Sequence, residues 1–153
     1  MTRLKYDGRT TPHLIESLYV EAMLLADEAR GYFDGPGRLD RERMSPMGRV
    51  TFSCESLRVT TRLMHVIAWL LTRKAIDAGD MELAQAQRES LRLAEAAGVD
   101  PGSMAMMPIE ARALIDASID LYARVGRIDR EMHGAAEENS PARRLLHRLE
   151  QSF

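Results

Sequence analysis

The sequence predicts an all-α fold: a three-helix bundle with one long central helix, an extra weak helix before the last long one, and a short C-terminal tail, paired as a homodimer. Three observations carry this. Apolar residues recur at three- and four-residue spacing through the long segments. Two Pro residues stand just after hydroxyl residues, the signature of capped helix starts. No alternating strand pattern competes with either signal. A chain of 153 residues fits one domain and can bury a core. Residues 1–132 read as the helical bundle domain, and 133–153 as a C-terminal tail, flexible or a short helix.

The first helix runs from Pro12 to about Phe33, with Thr11 placed to cap it. Ile15, Leu18, Ala22, Leu25, Ala29 and Tyr32 form its buried stripe. Asp34-Gly35-Pro36-Gly37 stops it, because Gly and Pro break the hydrogen-bond ladder.

The second helix is expected from Pro46 to Ala78, capped by Ser45 and ended by Gly79. At 100° per residue, Val50, Cys54, Leu57, Met64, Ala68, Leu71 and Ala75 share one flank. Phe52, Val59, Leu63, Val66 and Leu70 fall almost opposite and supply a dimer or second packing face. A helix that is apolar on two flanks must be covered from both sides. The first flank reads as the main stripe, and a second subunit is the simplest extra cover. Cys54, on that stripe, reads as a small buried hydrophobe whose pKa burial raises.

Met81 to Ala97 is a weaker helical stretch, thin in apolar residues. Asp100-Pro101-Gly102-Ser103 is a turn signal. Met104, Met106 and Met107 follow it, as filler for an irregular core gap or as an adaptable binding surface, the filler role being favoured. Met23 and Met64 fit core stripes. The last long helix, Pro108 to Met132, carries the arc Leu114, Ile115, Ile119, Leu121, Tyr122, Val125 and Ile128. The tail restarts at Ser140-Pro141 with a basic amphipathic segment through Leu149.

Composition narrows the function. Lys and Arg number 21 against 23 Asp and Glu, a net charge of −2, so the basic excess of a general nucleic-acid or membrane-surface binder is missing. Cys54 is alone, which excludes an intrachain disulfide and suits a reducing cytoplasm. Met1 to Thr11 lacks the apolar core of a signal peptide. The apolar run Val66 to Leu71 is too short to span a bilayer. A cytoplasmic protein is expected.

Catalytic patterns are weak. Gly35-Pro36-Gly37-Arg38 lacks the Gly-Lys-Ser/Thr of a phosphate loop. No Glu-x-x-His occurs, so a di-iron site is disfavoured. His13, His65, His133 and His147 lie on separate segments without metal-ligand spacing. Asp116 and Asp120 share their face with Arg112, Arg124 and Arg127, which reads as a solvated ion-pair face. No cofactor and no enzymatic activity are expected.

One constellation rises above this background. Arg58, Arg62, Trp69 and Arg73, with His65 among them, project between the two apolar flanks, and Arg73 can lie against the indole. Trp and Arg are the residues most enriched at binding hot spots. The competing reading is a snorkelling face with Glu55 as partner charge. A stripe that binds calls for an acidic partner, protein or phosphate backbone.

Tyr32-Phe33-Asp34-Gly35-Pro36-Gly37-Arg38, then Glu55-Ser56-Leu57-Arg58-Val59-Thr60-Thr61-Arg62-Leu63-Met64 and Ala68-Trp69-Leu70-Leu71, resembles an alphaproteobacterial family of unknown function that includes the regulator of CtrA degradation. The resemblance continues through Ala78-Gly79-Asp80 and resumes over Ala111 to Asp129, covering most of Leu14 to Met132. It implies a dimerising three-helix bundle and a cytoplasmic adaptor of the ClpXP protease. The characterised member joins the protease after a response regulator has primed it, and delivers cell-cycle regulators and other adaptors.

The expected function is therefore a non-enzymatic cytoplasmic adaptor that binds partner proteins: the protease unfoldase or its priming factor, and degradation substrates. Arg58, Arg62, Trp69 and Arg73 would make one contact. Arg143, Leu145, Leu146, Arg148 and Leu149 would make a second that folds on binding. The alternative is a small helical nucleic-acid-binding regulator that uses the basic stripe of the second helix, weakened by the long Pro-Gly-rich turn where a helix-turn-helix needs a short one.

Overall fold

The computed structural model describes residues 11–80, 92–93, 98–138 and 141–152. Among them are six helices and no strand: α1 (Thr11–Asp34), α2 (Pro36–Glu42), α3 (Pro46–Asp77), α4 (Pro101–Met106), α5 (Ile109–Glu138) and α6 (Pro141–Gln151).

The long helices α1, α3 and α5 each pack against the other two. The stripe Ile15, Leu18, Ala22, Ala29 and Tyr32 of α1 is buried, with Leu25 packed against it. It meets Phe52, Val59, Leu63, Val66 and Leu70 of α3, and Ala111, Leu114, Ile115, Leu121 and Val125 of α5, in one core. Met23 and Met64, expected in core stripes, are exposed instead.

Local chemistry sets both ends of α3. Ser45 has extended backbone angles, and its Oγ accepts the Gly48 N–H at 3.1 Å. Pro46 follows at the first helical position, where no N–H is needed. At the far end Gly79 has φ +78°, a conformation that suits a residue without Cβ. The Asp80 N–H returns to the Ala75 carbonyl at 2.9 Å and the Gly79 N–H to Ile76 at 3.0 Å. This pair of bonds satisfies carbonyls the helix end would leave open.

The Asp-Gly-Pro-Gly stop ends α1, but Pro36 then opens the short helix α2 in place of the expected turn. Gly37 lies under the corner: a Cβ there would stand 2.8 Å from the Tyr32 carbonyl oxygen and 3.4 Å from the Phe52 ring. Phe33 meets Tyr32 and Phe52 edge-on, with Phe33–Phe52 centroids 5.6 Å apart, and the Tyr32 hydroxyl donates to Asp40 at 2.8 Å.

The turn signal at Asp100 likewise opens a helix, α4, where the Asp100 carboxylate accepts the Ser103 N–H at 3.2 Å. Met107 is buried and Met104 packs against the core, whereas Met106 is exposed. Helix α5 ends at Glu138 rather than Met132. Of the weak helical stretch read at Met81 to Ala97, residues 81–91 and 94–97 lie outside the described residues.

Candidate protein-docking face

The core side of α3 is centred on Val59 and Val66, both fully buried. Directly opposite, Val50, Leu57, Met64 and Leu71 recur every seventh residue and are 60, 68, 64 and 46 % exposed. The outward strip they define also carries Ser53, Cys54, Thr60, Thr61 and Ala68, and no charged residue. From Val50 to Leu71 it runs about 31 Å along the helix.

The threonines on and beside this strip turn their hydroxyls inward. Thr60 donates to the Ser56 carbonyl at 3.1 Å, Thr61 to Leu57 at 2.9 Å and Thr72 to Ala68 at 2.8 Å. This back-bonding to the preceding turn satisfies the hydroxyl protons within the helix itself. The strip is thus more apolar than its composition implies. Along Met64 it joins a groove of about 350 Å³ between α1 and α3, floored by Ala26, Ala29, Phe33, Leu63 and Ile67. A continuous exposed apolar surface of this kind marks an interaction site on soluble proteins.

This corrects the expected roles of the two flanks. Phe52, Val59, Leu63, Val66 and Leu70, read as the dimer or second packing face, fill the chain's own core. The flank read as the main stripe faces water, and Cys54 with it, an exposed thiol rather than a buried one. The reason is polar. Glu55, Arg62 and Trp69 stand on the side of Val59, and Arg62 and Trp69 find their partners on α5. The Arg62 guanidinium donates to Ser118 Oγ at 3.3 Å, and the Trp69 indole N–H to Asp129 at 3.0 Å.

The basic stripe is corrected by the same contacts. Arg62 is 2 % and Trp69 4 % exposed, so neither is available to a partner. Burial holds the Arg62 guanidinium below its usual pKa; Glu55 partly offsets this and Arg58 adds to it. Arg58 is half-exposed and pairs with the buried Glu55. Arg73 lies 5.3 Å from the Trp69 ring centroid, as the sequence suggested. The nucleic-acid alternative loses the surface it required.

At the chain's end, Leu145, Leu146 and Leu149 of α6 are all at least half-exposed on one side of the helix, with Arg148 at its flank and Arg144 and His147 on the other side. The side chain of Arg143 lies outside the described residues. Asp120 pairs with Arg124 at 2.9 Å, and Arg124 reaches on to Glu21 of α1 at 3.0 Å, so this polar face is an ion-pair face. Among the described residues no group of three or more His, Cys, Asp or Glu is placed to hold a metal ion, and no helix is long and apolar enough to cross a membrane.

Fold and surface together define an all-helical bundle whose prominent feature is an apolar helix face turned outward. The chain belongs to the family described as "Protein of unknown function (DUF1465)", whose model matches residues 7–153. Among solved structures it is similar to RcdA, the regulator of CtrA degradation, from Caulobacter crescentus CB15. The two are 34% identical with a TM-score of 0.63, over 78% of this chain and 90% of that one. No curated protein matches. The family resemblance read from the Tyr32–Arg38 and Glu55–Met64 segments is borne out.

Proposed function

We propose that this chain is a non-enzymatic cytoplasmic adaptor, a homodimer that holds partner proteins for regulated ClpXP proteolysis of cell-cycle regulators. The observation that carries the reading is the uncharged outward strip of α3. Its large residues (Val50, Leu57, Met64, Leu71) form one row and its small ones (Cys54, Thr61, Ala68, Ala75) a second row beside it. Under a two-fold axis the large row of one copy lies on the small row of the other, the self-complementarity an isologous interface needs. Similarity to RcdA, a regulator of degradation, supports the proteolytic role.

The basic amphipathic helix with Arg143, Leu145, Leu146, Arg148 and Leu149 provides the contact to cargo or to the protease and its priming factor. Arg58 and Arg73, at the edge of α3, are left as secondary contacts. Such a protein acts by raising the effective concentration of two partners, without chemistry of its own. The test is a reconstituted ClpXP degradation assay of a cell-cycle regulator, run with the full chain and with Leu145→Asp/Leu149→Asp. The variant keeps the wild-type melting transition and loses delivery. Delivery at the wild-type rate by this variant refutes the assignment of the tail.

A further inference from the structure

We infer that the C-terminal helix α6 of one copy seats its leucines in the α1–α5 groove of a second copy. The inference goes beyond the proposed function and does not need the α3 strip to be an interface.

The receptor is a groove of about 350 Å³ where α1, the start of α2 and the first turns of α5 meet. Its floor is apolar, from Leu25, Tyr32, Pro36, Leu114 and Ala117. Its rim is acidic: Glu28 from α1 and Glu110 from α5 stand at the opening, both exposed and without an ion pair among the described residues. Leu24, one turn before Glu28, is 66 % exposed and extends the apolar surface past the rim.

The ligand has the matching form. On α6, Leu145 and Leu149 are one turn apart with Leu146 beside them, and the exposed Arg148 flanks the leucine row. Leucines into an apolar floor and guanidinium against carboxylate is the pairing that fixes register and orientation at an interface.

The chain's own tail cannot make this contact. From Glu138, the end of α5, the nearest groove residue Ala117 lies 21 residues back along a straight helix, about 32 Å. Even a fully extended link to Pro141, followed by α6 as far as Leu149, reaches about 22 Å. The occupant is therefore another copy.

Disulfide trapping between full-length chains tests this, on a Cys54→Ser background. One chain carries Ala142→Cys on α6, the other Ala113→Cys at the groove. Mixed under mild oxidation, the pair should give the heterodisulfide in about tenfold excess over a control pair with the second cysteine at Leu71, and Glu28→Lys/Glu110→Lys in the groove chain should remove that excess. Adding Leu57→Asp to both chains should leave the yield unchanged, which separates this contact from the α3 interface. A yield no higher than the control, or one indifferent to the charge reversal, overturns the inference. So does an intrachain bond in a monomer carrying both cysteines.

Discussion

The indole N–H of Trp69 on α3 donates to Asp129 on α5 at 3.0 Å, while the other carboxylate oxygen of Asp129 accepts the Leu93 N–H at 3.3 Å and faces Arg92 at 3.4 Å. One buried carboxylate thereby joins the central helix, the last long helix and the connection between them. Gly126, one turn earlier, lies beside Leu93: a Cβ there would be 3.8 Å from its methyl. The sole tryptophan is thus a structural anchor.

Replacing Trp69 with Phe keeps most of the packing but strips a donor from a buried carboxylate. The expected loss is about 1–3 kcal/mol of folding stability, read from the midpoint of urea unfolding at constant slope. A variant as stable as wild type would mean that the bond to Asp129 carries no net weight.

Arg62 sits in a buried polar layer with Glu55 and Ser118. Arg62→Ala leaves Glu55 with Arg58 alone and should cost about 3 kcal/mol, whereas the double variant Glu55→Leu/Arg62→Leu should recover a substantial part of that loss. Thermal melts of the two proteins make the comparison. If the double variant is the less stable, the layer contributes more than its desolvation costs.

Tyr32 supplies a pH test. Burial, followed by its hydrogen bond and proximity to Asp40, raises the phenol well above the ordinary tyrosine range. The folded state then keeps a proton that the unfolded chain releases near pH ~10. Stability from this group is complete below that pH and falls as pH rises through it. Tyr32→Phe should lose about 1 kcal/mol at neutral pH with the Asp40 bond, yet show a shallower fall in stability above pH ~10. Parallel alkaline unfolding curves for the two proteins would contradict this.

Much of the bundle is legible in local pattern. The stripe of α1, the Ser45-Pro46 start of α3 and the arc of α5 need only helical periodicity and capping chemistry, and each has its expected place. Helix α2 was hidden because Asp34-Gly35-Pro36-Gly37 is a strong stop, and a stop masks a helix that begins inside it. The docking strip was legible as composition but not as orientation. Two apolar flanks on one helix are equivalent by period, and what separates them is where Arg62 and Trp69 find partners. Ser118 and Asp129 lie 56 and 60 residues further along the chain, beyond the reach of any local rule. The inward-turned threonine hydroxyls are of the same kind, since a Thr reads as polar until its rotamer is known.

The outward face of α3 as a self-pairing surface is the claim on which the proposed function rests, and sedimentation velocity of the full chain at micromolar concentration tests it most directly. Wild type should sediment as a dimer, and Leu57→Asp/Met64→Asp as a folded monomer with an unchanged melting temperature, because both side chains are exposed in the single chain. A wild-type chain that stays monomeric, or a double variant that dimerises as well as wild type, contradicts the account.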